Sequence, residues 1–186
     1  QRQMCIRDRR GTVRIQGVDP RSLTGPQRRA LYGYVEQRFH PVPGTVRDQI
    51  TLYDDTITEG QVRRAAELAG LAEAIGALPQ GYDTPCAPDI FSQGQWQLLS
   101  IARAAVADPP VMILDEATSS IDTRTELLVQ RGMDALMKGR TVFVIAHRLS
   151  TVKNSDVIMV LDHGRIIERG SHEKLIEEKG TYYRLY

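Results

Sequence analysis

The sequence predicts an α/β fold: a mostly parallel sheet with an α-helical subdomain inserted into it. Three observations carry this. Short runs rich in branched apolar residues at 111–114, 141–146 and 157–161 alternate with stretches of helical period, and continuous apolar strands joined by helices build parallel sheets covered on both faces. From about residue 45 to 108 the pattern is helical throughout, so these helices are expected to form a subdomain set into the α/β core. At 186 residues the chain is long enough to bury one core.

In chain order, Met4-Cys5-Ile6-Arg7-Asp8-Arg9 has no apolar period and no capping pattern. It matches the translation of a transposon end used in sequencing libraries, and residues 1–10 are expected to be a leader, artefactual or disordered, outside the fold. Residues 11–17 alternate polar and apolar side chains and end in glycine, which predicts a short half-exposed strand. Leu31-Tyr32-Gly33-Tyr34-Val35 predicts a second strand, and Pro41, Pro43 and Gly44 then break the chain. Val62, Ala65, Ala66, Ala69 and Leu71 trace one apolar helix face. Leu78-Pro79-Gln80-Gly81-Tyr82-Asp83 is turn chemistry. Ser92 is placed to cap a helix from Gln93 to about Ala107, with Leu98, Leu99, Ile101, Ala102 and Ala105 on its apolar face and Pro109-Pro110 as its stop. Beyond it, strands are expected at 111–114, 141–146, 157–161 and 165–168, and helices at 123–137, 171–178 and 181–185.

Composition narrows the function classes. Charged residues make up 25% and hydrophobic residues 41%, ordinary for a globular chain, and the net charge of +1 gives no reason to expect a nucleic-acid partner. No apolar run approaches the roughly 20 residues of a membrane-spanning helix, so a membrane role must come through a partner or another segment. The two cysteines, Cys5 and Cys86, lack the spacing of a zinc site and suit reduced thiols better than a disulfide scaffold.

Three segments carry chemistry. Val111-Met112-Ile113-Leu114-Asp115-Glu116 is an apolar strand ending in two acids. Ligands of open α/β sheets bind outside the carboxyl ends of strands, where one carboxylate can hold Mg²⁺ through water and a second can orient an attacking water. Taken alone, the acids could equally cap the next turn. Ser92-Gln93-Gly94-Gln95 puts a hydroxyl, a bare backbone and an amide at a helix N-terminus, which is anion-binding chemistry; taken alone it reads more readily as an ordinary helix cap. His147 follows the strand expected at 141–146 and can donate to a phosphate oxygen, although a lone histidine is usually structural.

In this order, and with Ala117-Thr118-Ser119-Ser120-Ile121-Asp122 and Gln97-Leu98-Leu99-Ser100-Ile101-Ala102-Arg103-Ala104 behind the first two, the segments resemble the ATP-binding cassette (ABC) ATPases, the motor domains of ABC transporters. The resemblance spans residues 11–186. It implies a P-loop NTPase-like α/β fold in which the helices at about 45–108 form the signature subdomain. Ser92, Gly94 and Gln95 match the signature L-S-G-G-Q, with Phe91 in place of Leu and Gln93 in place of the first Gly. By the same resemblance Asp115 is the metal-side acid, Glu116 the catalytic base, Asp122 a contact across a dimer and His147 the switch histidine. Gln37, ending Tyr34-Val35-Glu36-Gln37, resembles the Q-loop amide that senses Mg²⁺ and links to the membrane domain. Ile145-Ala146-His147-Arg148-Leu149-Ser150-Thr151 points to the exporters, as does Ile166-Ile167-Glu168-Arg169-Gly170-Ser171-His172, which makes His163 and His172 structural. Arg47-Asp48-Gln49-Ile50 resembles the exporter R-x-N-I with Gln49 for Asn. Residues 84–90 lack the family's T-E-V-G-E-R-G-like pattern, and Cys86 there is read as filler.

The resemblance therefore implies an ATP- and Mg²⁺-dependent ATPase of the exporter or multidrug type. Its implied partners are a second ABC nucleotide-binding domain, in a homo- or heterodimer, and the exporter's transmembrane domain, with no nucleic acid. Its implied place is the cytoplasmic face of the cell membrane. The family's phosphate loop, G-x-x-x-x-G-K-[ST], occurs nowhere in the 186 residues. The expectation is a nucleotide-binding domain truncated ahead of residue 11, active in an intact parent and inactive alone. Two other readings stand beside it: a non-hydrolysing regulatory pseudo-subunit, and half of a chromosome-maintenance or DNA-repair ABC ATPase. Glu116, His147 and the signature together argue against the first; Gln37 on the same segment, and the lack of a basic surface, argue against the second.

Overall fold

The computed structural model describes residues 11–36, 38–115, 123–146 and 149–186. The leader expected at 1–10 lies outside them. Capping boxes start the first helices. Thr24 and Gln27 close one at the head of α1 (Gly25–Leu31), which runs directly into strand β1 (Tyr32–Val35). Thr45 with Asp48 begins α2 (Val46–Thr51), ended by Leu52 in the left-handed region at φ 52°. Thr58 with Gln61 begins α3 (Glu59–Ala69), ended by Gly70 at φ 74°. Each reciprocal pair satisfies backbone N–H groups that a helix start leaves without partners. A short α4 (Ala72–Gly76) and a 3₁₀ turn lead to α5 (Gln93–Ala105), again opened by a box, Ser92 with Gln95.

The remaining order is β2 (Val111–Asp115), α6 (Thr123–Met137), β3 (Thr141–Ile145), α7 (Leu149–Val152), β4 (Ile158–Asp162), β5 (Arg165–Gly170), α8 (His172–Glu177) and α9 (Thr181–Leu185). Strands β1, β2 and β3 form a parallel sheet in that order, with Val35 beside Leu114, and Leu114 and Asp115 beside Val144 and Ile145. The central strand is therefore the one that carries Asp115. Four helices, α2 to α5, intervene between β1 and β2.

The core lies where α3, α5 and α6 meet the sheet. Val62, Ala65, Ala66, Ala69 and Leu71 are buried, as are Leu98, Leu99, Ile101, Ala102 and Ala105, so both apolar faces read from the sequence are core faces. Val35, Met112 and Leu114 join the same cluster from the sheet. Each large side chain fully buried there is worth about 1.5–3 kcal/mol relative to leaving it exposed.

Two expectations change. Among the described residues, 11–17 form no strand: Ile15 pairs there only with Val18, across a turn at Gln16 and Gly17 with φ of 50° and 81°. The chain reverses at once, so the alternating side chains find no longer partner. The strands near 157–161 and 165–168 do not join the parallel sheet either. β4 and β5 pair with each other, antiparallel, through His163 and Gly164 at φ 47° and 77°. A two-residue left-handed link can only make a hairpin, whereas parallel pairing needs a long crossover. This hairpin packs with α8 and α9 around Ile158, Leu175 and Tyr182, a second small cluster.

Candidate active site

Asp115 is the last residue of β2, half-exposed at the carboxyl end of the central strand. Parallel pairing brings the ends of β1 and β3 to either side of it. In sequence, Gln37 comes two residues after the end of β1, Glu116 one after β2 and His147 two after β3. Three neighbouring strand ends thus lead into three of the expected site residues. Gln37, Glu116, Asp122 and His147 themselves lie outside the described residues.

Tyr34, on β1, donates its hydroxyl to Asp115 Oδ2 at 3.2 Å. Partial desolvation and then the Asp115 charge push the Tyr34 hydroxyl above its ordinary pKa, so it stays a donor. The sequence reading did not single out Tyr34. Its position in a strand was legible, but its partner depends on strand register, which a single sequence does not give. One acceptor site on a carboxylate is thereby used of about four. The others suit water or a water-bound cation, the usual mode for Mg²⁺, which keeps several waters and takes one or two carboxylates. Among the described residues, no group of three or more His, Cys, Asp or Glu is placed to hold a metal.

The second part of the site is the α5 N-terminus. Ser92 Oγ accepts from the Gln95 amide N–H at 3.3 Å, and Gln95 Oε1 accepts from the Ser92 amide N–H at 2.9 Å. Ser92 is exposed, Gly94 buried and Gln95 half-buried. The cap fixes the turn, while the Ser92 hydroxyl proton is not used in accepting that bond. Phe91, buried just before it, meets Trp96 edge-on with ring centroids 5.4 Å apart. The structure thus joins Ser92 and Gln95 to each other and Asp115 to Tyr34.

A cavity of about 330 Å³ opens beside β1, lined among others by Arg28, Tyr34, Glu36, Leu52 and Arg103. Next to it Gln49 is fully buried. Its Oε1 accepts from the Val42 N–H at 2.8 Å and its Nε2 donates to the Val42 carbonyl oxygen at 2.7 Å. A buried amide satisfied on both sides holds the loop after β1 against α2.

A family model described as ABC transporter matches residues 4–119, more than half of the chain. This chain belongs to the ABC transporter family. It is 41% identical over 179 residues to the probable multidrug resistance ABC transporter ATP-binding/permease protein YheH of Bacillus subtilis (strain 168), covering 95% of this chain and 27% of that protein. It is 44% identical over 178 residues to the ATP-dependent lipid A-core flippase of Desulfotalea psychrophila, covering 95% of this chain and 31% of that protein. A solved bacterial Atm1-family ABC exporter with ATP bound matches at a TM-score of 0.72 and 41% identity, covering 85% of this chain and 28% of that chain. The ABC chain here therefore spans between a quarter and a third of the length of these relatives. Its fold is that of an ABC nucleotide-binding domain of P-loop NTPase type, and membership of the family implies ATP as the nucleotide. Among the described residues no helix is long and apolar enough to cross a membrane.

Proposed function

We propose that this chain is the motor part of an ABC exporter, in which ATP hydrolysis between two paired nucleotide-binding domains moves a substrate across a membrane. The observation that carries the reading is the convergence of three parallel strand ends on Asp115, in a chain 41% identical to an ATP-bound exporter.

Each residue has a role in this reading. Asp115 holds the metal side of the site through water, with Tyr34 fixing one carboxylate oxygen. Glu116 takes the proton of the attacking water, and His147 donates to the terminal phosphate. Gln37 contacts the same water and metal. Ser92, Gly94 and Gln95 present a hydroxyl and helix N–H groups to the terminal phosphate bound by the opposite domain, and Asp122 contacts that domain. Asp115, through water, and Gln37 would hold Mg²⁺, which would supply neutralisation of the charge that develops on the phosphates. The partners are a second domain of the same kind and a transmembrane domain, which places the chain at the cytoplasmic face of the membrane.

ATP turnover by the complete gene product, compared with its Glu116→Gln variant, tests this. Loss of the base should lower turnover at least about a hundredfold, with ATP binding retained; equal turnover would overturn the proposal. The 186-residue chain alone has no G-x-x-x-x-G-K-[ST] loop, whose backbone and lysine supply much of the grip on phosphates. It is expected to show no turnover above that control.

A further inference from the structure

Phe39, in the loop after β1, touches α5 at two points. The Arg103 guanidinium carbon is 4.1 Å from the Phe39 ring centroid. Trp96 is 5.1 Å from it, centroid to centroid, with the rings tilted by 31°. Trp96 and Arg103 are seven positions apart on α5, two helical turns, and so share a face. Arg103 also donates from Nη1 to the His40 carbonyl oxygen at 3.0 Å and from Nε to the Gln49 carbonyl oxygen. Its Nη2 lies 3.4 Å from Gln49 Oε1, the same oxygen that accepts from Val42. At the other end of the stack Trp96 meets Phe91, which directly precedes Ser92.

Burial pushes Arg103 down to about 10, so it remains charged at neutral pH. Keeping a charge half-buried is poor economy if only stability is needed, because an apolar side chain of similar volume would serve as well. A planar fork that reaches two carbonyl oxygens and lies against a ring has another use: it fixes geometry.

We propose that Arg103 is a positioning residue. With Trp96, it holds residues 39–42 on α5, so that the chain leaving β1 and the turn at residues 92–95 move as one body during the nucleotide cycle. The inference rests on the motor-domain reading above. Phe39 is the shared contact and Gln49 the second tie.

Trp96 is the only tryptophan, so its fluorescence reports the stack directly. Arg103→Lys keeps the charge but loses the fork and the flat face. Phe39→Leu keeps apolar volume but loses the ring, and serves if the first variant does not fold. Arg63→Lys is the control, because Arg63 stands over Tyr82 at 5.4 Å on α3. In the 186-residue chain, acrylamide quenching of Trp96 should rise about twofold in Arg103→Lys, which releases the Phe39 ring, and in Phe39→Leu, which removes it, and stay unchanged in the control, since the indole then opens to solvent. In the complete gene product the same two variants should lower kcat about tenfold with KM for ATP within about twofold, the pattern of a misplaced rather than an unbound site. Unchanged Trp96 quenching overturns the inference. So does increased quenching with kcat unchanged, or a fall in kcat that follows only the fraction of folded protein. No ATP turnover in the unaltered protein overturns the motor reading instead, and quenching then decides alone whether Arg103 holds the stack.

Discussion

Tyr34 and Asp115, 81 residues apart in sequence, meet across neighbouring strands with the phenol oxygen 3.2 Å from the carboxylate. The bond fixes one oxygen of the residue proposed to face the metal. Hydrogen bonds that orient a metal-side ligand tune affinity more than they tune fold, and their loss typically weakens metal use about 10-fold or more.

Tyr34→Phe should therefore separate two measurements. The tyrosine is 42% exposed, so stability should fall by no more than about 1 kcal/mol, the net worth of a typical hydrogen bond. In the complete gene product, the Mg²⁺ concentration for half-maximal ATP turnover should rise about tenfold, with kcat at saturating Mg²⁺ little changed. An unchanged Mg²⁺ dependence would show that the bond serves the sheet alone.

Ser92 allows a similar separation at the other part of the site. Its side chain caps α5, so Ser92→Ala should cost about 1 kcal/mol in chemical denaturation, and Ser92→Gly only a few tenths. Both remove the hydroxyl. If it donates to phosphate, turnover should fall about a hundredfold in both, as when one donor to a developing charge is lost. Activity retained in the glycine variant would reduce Ser92 to a cap.

Of the helix starts, only that of α5 was read from its cap, at Ser92; the same local signal stood at three other starts and was passed over. Thr24 with Gln27, Thr45 with Asp48, Thr58 with Gln61, and Ser92 with Gln95 all have the same three-residue spacing, and the chemistry of a cap is local. The apolar faces of α3 and α5 were legible for the same reason, since helical period places side chains without knowledge of partners. The β4–β5 hairpin was misread because two β-branched runs look alike whichever way they pair; the deciding signal was the short His163-Gly164 link. Asp115 was singled out from a strand ending in acids, and it is the last residue of β2. Tyr34, Phe39 and Arg103 were not singled out, because each acquires its role from a partner more than 50 residues distant.

Gly33 shows how closely the sheet and α5 approach. A Cβ built there would stand 2.7 Å from the Ala104 carbonyl oxygen and 2.7 Å from the Met112 thioether. Met112 is fully buried, and the carbonyl is backbone in the last turn of α5, so neither yields without shifting α5 or β2. Gly33→Ala should destabilise the chain by about 1–3 kcal/mol, the range for overpacking a core, measured by urea denaturation followed through Trp96. A neutral outcome would mean that α5 can slide on the sheet, and the rigid coupling proposed for Arg103 would weaken with it.

The C-terminal unit carries a prediction in pH. Glu168 Oε2 accepts from the Tyr182 N–H at 2.9 Å, and Oε1 accepts from the Thr181 N–H, so one carboxylate satisfies two free N–H groups at the start of α9. Those bonds, the Tyr182 one first, hold the Glu168 carboxyl below the ordinary carboxylate range, with a smaller contribution from Arg184. A folded-state pKa lowered below the unfolded value of about 4.3 gives stability that is full above that value and lost as pH falls through the folded one. Glu168→Gln removes the charge and one acceptor. The variant should therefore melt earlier than the unaltered chain at pH 7, and the two melting temperatures should converge as pH falls below about 4. Near-UV circular dichroism reads the docking of α9 directly, because Tyr182 meets His172 edge-on and stacks with Tyr186 there. A gap between the two chains that stays constant down to pH 3 would mean that the carboxylate acts through shape rather than charge, and the linkage argument would fail.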